Sequence, residues 1–321
     1  LRVNAKGFTL LELLIAMSIA IVISAAGYTF FTNTFKFSVV HSRNIEMQRE
    51  TRGAIDLISR EIRAAGFGVR NPLASSEVHP AAALFPIITA GNNVDPDPSG
   101  VASQIDRIAL WGGFQQIGML TCAAPPCANP VAAEGVTQVL VQPTPGTDPT
   151  NPTVVGATIT LDGFYVGTVT AIGGPNGNGA YTLTLGSPLN RDYSQNNSVL
   201  RLQQIVYSVV VPGGETEPVL FRSDDGVLPG QRLASGIEDL QFAYLLSNGT
   251  AVNNPGAVAA TSIPSIRAVR IGMLARAQDP SQNVNSVSTR PTLEDHAAGG
   301  AADRFHRRLI RKVAEVRNLG F

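Results

Sequence analysis

Residues 8–31 read FTLLELLIAMSIAIVISAAGYTFF, an apolar run broken by a single charge, Glu12. As a helix this stretch is ~36 Å long at 1.5 Å per residue, enough to cross a hydrocarbon core of ~30 Å. Arg2 and Lys6 stand just before it, which by the positive-inside rule keeps the N-terminus cytoplasmic and sends the rest of the chain outward. A secretory signal, with Ser24-Ala25-Ala26 as its cutting site, or a plain one-pass anchor would explain the apolarity. Neither has a use for Glu12. A carboxylate inside a spanning helix costs ~2.5–3.5 kcal/mol on the translocon scale, so it points to a function.

Working outward, the helical pattern does not stop at residue 31. Residues 33–65 contain no proline and one glycine, Gly53. Ile55, Ile58, Ile62 and Ala65 recur at helical intervals, one stripe of an amphipathic helix that should pack on a globular head. Arg52, Asp56 and Arg60 form an i, i+4 ladder on another face, read as solvated. Gly66 and Gly68, with Pro72 beyond, supply the stop. The helix predicted over 8–65 is ~87 Å long.

Past Gly66 the period shifts to short runs between turn clusters. Strands are predicted at 105–111, 136–142, 153–161, 164–172, 180–185, 200–211, 218–222, 240–246 and 266–276. Residues 207–211 and 219–222, flanking Pro212-Gly213-Gly214, read as a hairpin. Low-complexity stretches at 92–100, 143–152, 248–264 and 279–303 read as mobile loops. The chain has 321 residues, with 31 glycines and 21 prolines, which favours turns over a helical bundle. Its 24 basic and 24 acidic residues cancel, which argues against a phosphate-neutralising partner, so no nucleic acid is expected.

Lys6-Gly7-Phe8-Thr9-Leu10-Leu11-Glu12 resembles the processing motif of type IV prepilins and type II secretion pseudopilins. The resemblance implies that prepilin peptidase cuts after Gly7 and that Phe8 becomes the methylated N-terminus. It also implies that Glu12 pairs with the terminal amine of a neighbouring subunit. Residues 47–67, 233–246, 266–276 and 307–318 are similar to PilW-like minor pilins, whereas 71–188 matches nothing recognisable. Within the last segment Phe305, Leu309, Val313 and Val316 are helically spaced, but the family ends in a strand, and a strand is the reading taken.

Cys122 and Cys127 lie in TCAAPPCAN. Two sulfurs do not make a zinc site, and the redox motif needs two intervening residues rather than four. The reading taken is a small loop closed by a Cys122–Cys127 disulfide in an oxidising compartment, with two free thiols as the alternative. His41, His79, His296 and His306 have no metal-ligand spacing, so no metal is expected. Residues 173–179 read as a glycine-rich turn, and Asp95-Pro96-Asp97 and Asp224-Asp225-Gly226 lack an EF-hand pattern. The basic ending (Arg304, Arg307, Arg308, Arg311, Lys312, Arg317) reads as a solvated edge.

The expectation is an α+β, pilin-like lollipop without cofactor or enzymatic activity. It comprises a leader at 1–7, a long helix at 8–65 (8–31 transmembrane) and a mainly antiparallel β head at 66–321. The resemblance implies a minor pilin for pilus priming or the tip. A type II secretion pseudopilin of the J type and a surface adhesin pilin are the alternatives. Implied partners are prepilin peptidase, other minor pilins, the major pilin, the inner-membrane assembly platform and, before assembly, membrane lipid. The implied location is the inner membrane with the head in the periplasm, then the pilus and cell surface.

Overall fold

The computed structural model describes residues 9–69, 87–95, 105–124, 126–146, 154–225, 227, 230–254, 266–280 and 287–318. The predicted leader, Pro72 and parts of the four predicted loops lie outside these residues. One helix, α1 (Leu10–Ala64), opens the fold. The large apolar side chains of its first half, Leu10 through Phe37, are exposed, whereas Ile55, Ile58 and Ile62 are buried and Ile58 retains 0 % of its surface. The helix ends where Gly66 and Gly68 take φ of 78° and 75°, the left-handed region where a Cβ is penalised.

The larger sheet holds β1 (Ile88–Asp95), β2 (Ile105–Thr121), β3 (Gln138–Pro143), β4 (Thr158–Leu161), β5 (Tyr165–Gly173), β6 (Tyr181–Leu185), β7 (Ser198–Val210), β8 (Val219–Asp224) and β9 (Gln231–Ser235). Their spatial order is β1-β2-β3-β6-β5-β4-β7-β8-β9, and β2 also pairs with β7. That extra pairing closes β2, β3, β6, β5, β4 and β7 into a small antiparallel barrel. Leu120, Val141, Ile159, Leu161, Leu183 and Val199 fill it with fully buried side chains. The barrel strands β2 to β6 lie in the middle region, 71–188. β7 and β8 form the predicted hairpin, with Tyr207 opposite Arg222 and Val210 opposite Val219.

The smaller sheet holds β10 (Ile237–Leu246), β11 (Ala251–Val252), β12 (Ile266–Pro280) and the last strand, β15 (Phe305–Glu315), in the order β11-β10-β12-β15. Strand alternation divides its residues between two faces. On β12, Val269, Ile271, Met273 and Ala275 join the core shared with α1, β1, β2, β7 and β8. The segment read as helically spaced is thus a strand, with Ile310 and Ala314 turned toward that core.

Two predicted loops are corrected. Residues 92–95 belong to β1, where Asp95 pairs with Arg107. Residues 287–303 are not a free loop but a flap containing β13 (Ser288–Arg290) and β14 (Gly299–Asp303), which pair with each other. The flap lies on the outer face of the smaller sheet. Leu293 is fully buried over Gly272, where an added Cβ would come 2.5 Å from its Cδ1. Glu294 receives Arg270 Nε and Nη2 at 3.0 and 2.5 Å, and His296 Nδ1 lies 2.7 Å from Asp239. Arg307, read as part of a solvated edge, is buried between Glu238 (2.6 and 2.9 Å) and Asp303 (2.7 and 2.6 Å).

Asp106 joins the two sheets. Its carboxylate accepts the backbone N–H of Asn93 at 2.9 Å and of Phe242 at 2.8 Å. Burial pushes its pKa from 3.8 up to about 7; those two hydrogen bonds oppose the shift and the nearby Asp295 and Asp239 carboxylates add to it. The fold therefore favours the neutral acid over the carboxylate. Its contribution to stability is complete below the ordinary pKa and is lost as pH rises through about 7. Two outcomes are expected for the full chain in detergent, followed by near-UV circular dichroism. Asp106→Asn, which cannot ionise, should melt with a flatter pH dependence between pH 4 and 7 than wild type, though from a lower starting stability because one N–H loses its acceptor. Ile58→Asp should abolish the cooperative melt at neutral pH, because an unpaired buried carboxylate costs several kcal/mol of a domain's ~5–15. A wild-type melt for Ile58→Asp would mean that the stripe is not core.

Candidate functional site

Thr9 caps α1. Its hydroxyl accepts the N–H of Glu12 at 3.2 Å, while Glu12 Oε2 accepts the Thr9 N–H and hydroxyl, each at 3.0 Å. This reciprocal capping box turns the carboxylate back onto the helix tip. The Thr-x-x-Glu spacing was legible in the sequence as a helix start, a role the processing motif had obscured. Gly7 and Phe8 lie outside the described residues.

Beyond the tip, the helix is built for an apolar surrounding. Its first part reaches a mean hydropathy of 2.3 over eighteen residues with none of that window buried. Four of the hydroxyls that interrupt it bond within the helix: Ser18 donates to the Leu14 carbonyl, Thr29 to Ala25 and Thr34 to Phe30, each at 2.8 Å, and Thr32 donates to Thr29 at 3.0 Å. These four hydroxyl donors need no water, which suits a lipid or protein neighbour.

At its other end the helix is gripped by the head. Glu61 accepts from the Tyr207 hydroxyl and from Arg222 Nε (2.9 Å), and Arg222 also pairs with Asp224 at 2.7 Å. Glu50 accepts the Ser235 N–H at 3.2 Å. Lys312 of β15 pairs with Asp56, so the predicted charge ladder is solvated but not isolated. Asn318 Nδ2 stands 3.2–3.4 Å from the carbonyls of Arg63, Ala64 and Ala65, which would otherwise lack helical partners. Gly66 N–H then donates to Trp111 O at 2.7 Å, handing the chain to β2.

The remaining sequence candidates have structural positions. Cys122 and Cys127 are joined in a disulfide at the end of β2. Asn178 of the glycine-rich turn donates to Ala123 O inside that loop at 2.8 Å, and Asn176 accepts two backbone N–H groups at 3.0 Å. Asp95, Asp224 and Asp225 pair with Arg107, Arg222 and Arg201. Among the described residues no group of three metal-binding side chains converges. Sequence reasoning missed Asp106, Glu61, Tyr207 and the His296–Asp239 pair, since their partners lie far along the chain.

The family model for Type IV Pilus-assembly protein W matches residues 206–318, and that for the prokaryotic N-terminal methylation motif matches residues 2–28. No curated protein matches the chain. Among solved structures, the type IV-like pilin TTHA1219 from Thermus thermophilus aligns at 12 % identity and a TM-score of 0.36, covering 85 % of this chain and 97 % of its own. The first of these matches runs from the end of β7 through β15 and includes β9, β12 and β15, which pack on α1, and the second covers the start of the exposed apolar helix with Glu12. Residues 206–318 are therefore similar to Type IV Pilus-assembly protein W, and residues 2–28 match the prokaryotic N-terminal methylation motif.

Proposed function

We propose that this chain is a minor subunit of a type IV pilus, made as a precursor and acting through assembly rather than catalysis. The observation that carries the reading is the division of α1: one half is built into the head, and the other is apolar, bare and tipped by a lone carboxylate. An apolar rod of that length needs lipid before assembly and other helices after it. In this reading the helix spans the inner membrane once, with the head in the periplasm. Prepilin peptidase cuts between Gly7 and Phe8 and methylates the new amine. The subunit then joins other minor pilins and the major pilin through the inner-membrane platform, in the priming or tip complex.

Glu12 supplies the chemistry of that transfer. The new amine of Phe8 carries a positive charge into an apolar layer, where an unpaired charge is costly. The carboxylate of a neighbouring subunit neutralises it as the helix leaves lipid for the filament. Removing one member of such a pair costs ~3–5 kcal/mol, by analogy with buried pairs in soluble proteins. Glu12→Ala should still be cut and inserted but should be missing from sheared pili. Glu12→Gln separates two roles, because glutamine also completes a capping box but carries no charge. It should be excluded from pili like the alanine variant, while Glu12→Asp is partly retained. Processing blots alongside sheared-pilus fractions provide the check, and normal incorporation of Glu12→Gln would remove charge pairing from the mechanism.

A further inference from the structure

β15 is an 11-residue strand, and among the described residues nothing pairs with its outer edge. From Arg307 to Glu315 its register with β12 is unbroken, so the backbone is regular throughout. The other sheet edges differ. β1 has 8 residues and a register shift, while β9 has 5 and β11 has 2. Apart from the Ser288 contacts at its start, this long, regular edge is unpaired among the described residues and offers a row of backbone donors and acceptors to an extended chain. From Arg307 to Glu315, β15 has no proline or bulge to prevent this, and among the described residues charge is what guards it.

That charge is selective. Arg308 and Lys312 share the face of Ile310, and Arg311 and Val313 share the opposite one. Arg308 makes no ion pair among the described residues. Arg311 is 51 % exposed and reaches Glu294 only at 3.8 Å. Val313 is equally exposed and apolar. A second copy would meet like charges in two central registers: antiparallel pairing centred on Ile310 sets Arg308 against Lys312, and pairing centred on Leu309 sets Arg307 against Arg311. Like charges directly opposite destabilise a sheet, and opposite charges support it.

We propose that the free edge of β15 receives an extended acidic segment of another chain, which adds as a fifth strand to the smaller sheet. Carboxylates at alternate positions of that segment stand opposite Arg308 and Lys312, and its apolar residues cover Val313. The backbone ladder provides affinity, and the charges favour an acidic segment over a basic one. Nothing in this inference depends on the pilus reading, and its test is independent of filament assembly.

The test uses the full chain in detergent micelles and three labelled octapeptides. One alternates valine with glutamate, the second alternates valine with lysine, and the third is the glutamate peptide with a central valine replaced by proline. Fluorescence anisotropy measures binding, and hydrogen exchange locates it. The glutamate peptide is expected to bind and to slow exchange within residues 305–315, the lysine peptide not to bind, and the proline peptide to bind more weakly. Arg308→Glu should weaken the glutamate peptide roughly three- to tenfold and allow the lysine peptide to bind. Absence of glutamate-peptide binding to wild type would overturn the proposal. So would equal binding of the proline peptide, which would mean adhesion by charge alone, or slowed exchange only outside β15. The wild-type exchange result stands whatever the behaviour of the variant.

Discussion

The isoleucine stripe of α1 is buried by the same chain that leaves the first half of this helix bare. A straight helix can meet both demands only if its amphipathic half lies wholly within the head and its uniformly apolar half wholly outside. Burying Ile55, Ile58 and Ile62 contributes on the order of 1.5–3 kcal/mol each. It also fixes the direction in which the bare half leaves. Glu61 with Tyr207 and Arg222, Lys312 with Asp56, and Asn318 at the helix end then hold rotation and register along the stripe. The aim of the anchor is therefore set by head residues more than a hundred positions away.

The two faces of the smaller sheet follow different chemistry. Toward α1 they are aliphatic and aromatic, with Phe242, Tyr244, Ile271 and Met273 fully or almost fully buried. On the far side, buried or half-buried ion pairs hold a flap with one large apolar anchor, Leu293. Such pairs contribute little net stability but cost several kcal/mol when one partner is lost. The flap is accordingly positioned by specific partners rather than by bulk apolarity.

How much of this was readable depends on range. The stripe on α1 announces itself at a period of 3.6. β10 and β12 were visible as apolar runs, and the hairpin at 207–222 through its Pro-Gly-Gly turn. The barrel strands were legible singly, but their closure was not, because the pairing of β2 with β7 joins residues about ninety positions apart. β1 was hidden by Gly91, Asn92 and Asn93, which look like a turn until Asp106 takes the Asn93 N–H. β9 is short and polar, and Glu50 of the helix receives one of its N–H groups. The flap reads as loop because its anchors answer to charges on three other strands. At the site, the Glu12 motif was local and legible; the residues that grip the helix were not, since each needs a distant partner.

The cap that Asn318 places on the end of α1 spans about 255 positions of sequence, as does the neighbouring contact of Lys312 with Asp56. Contacts of such separation form late and slow the search for the native state. During synthesis the helix emerges well before the strand that completes its socket. Until then the stripe of Ile55, Ile58 and Ile62 has no finished core to enter, and an exposed stripe of that kind invites aggregation. Tethering residues 8–31 in a bilayer would hold the waiting helix apart from its neighbours and shorten the search once β15 arrives. The anchor would then act as a folding aid well before it acts in assembly.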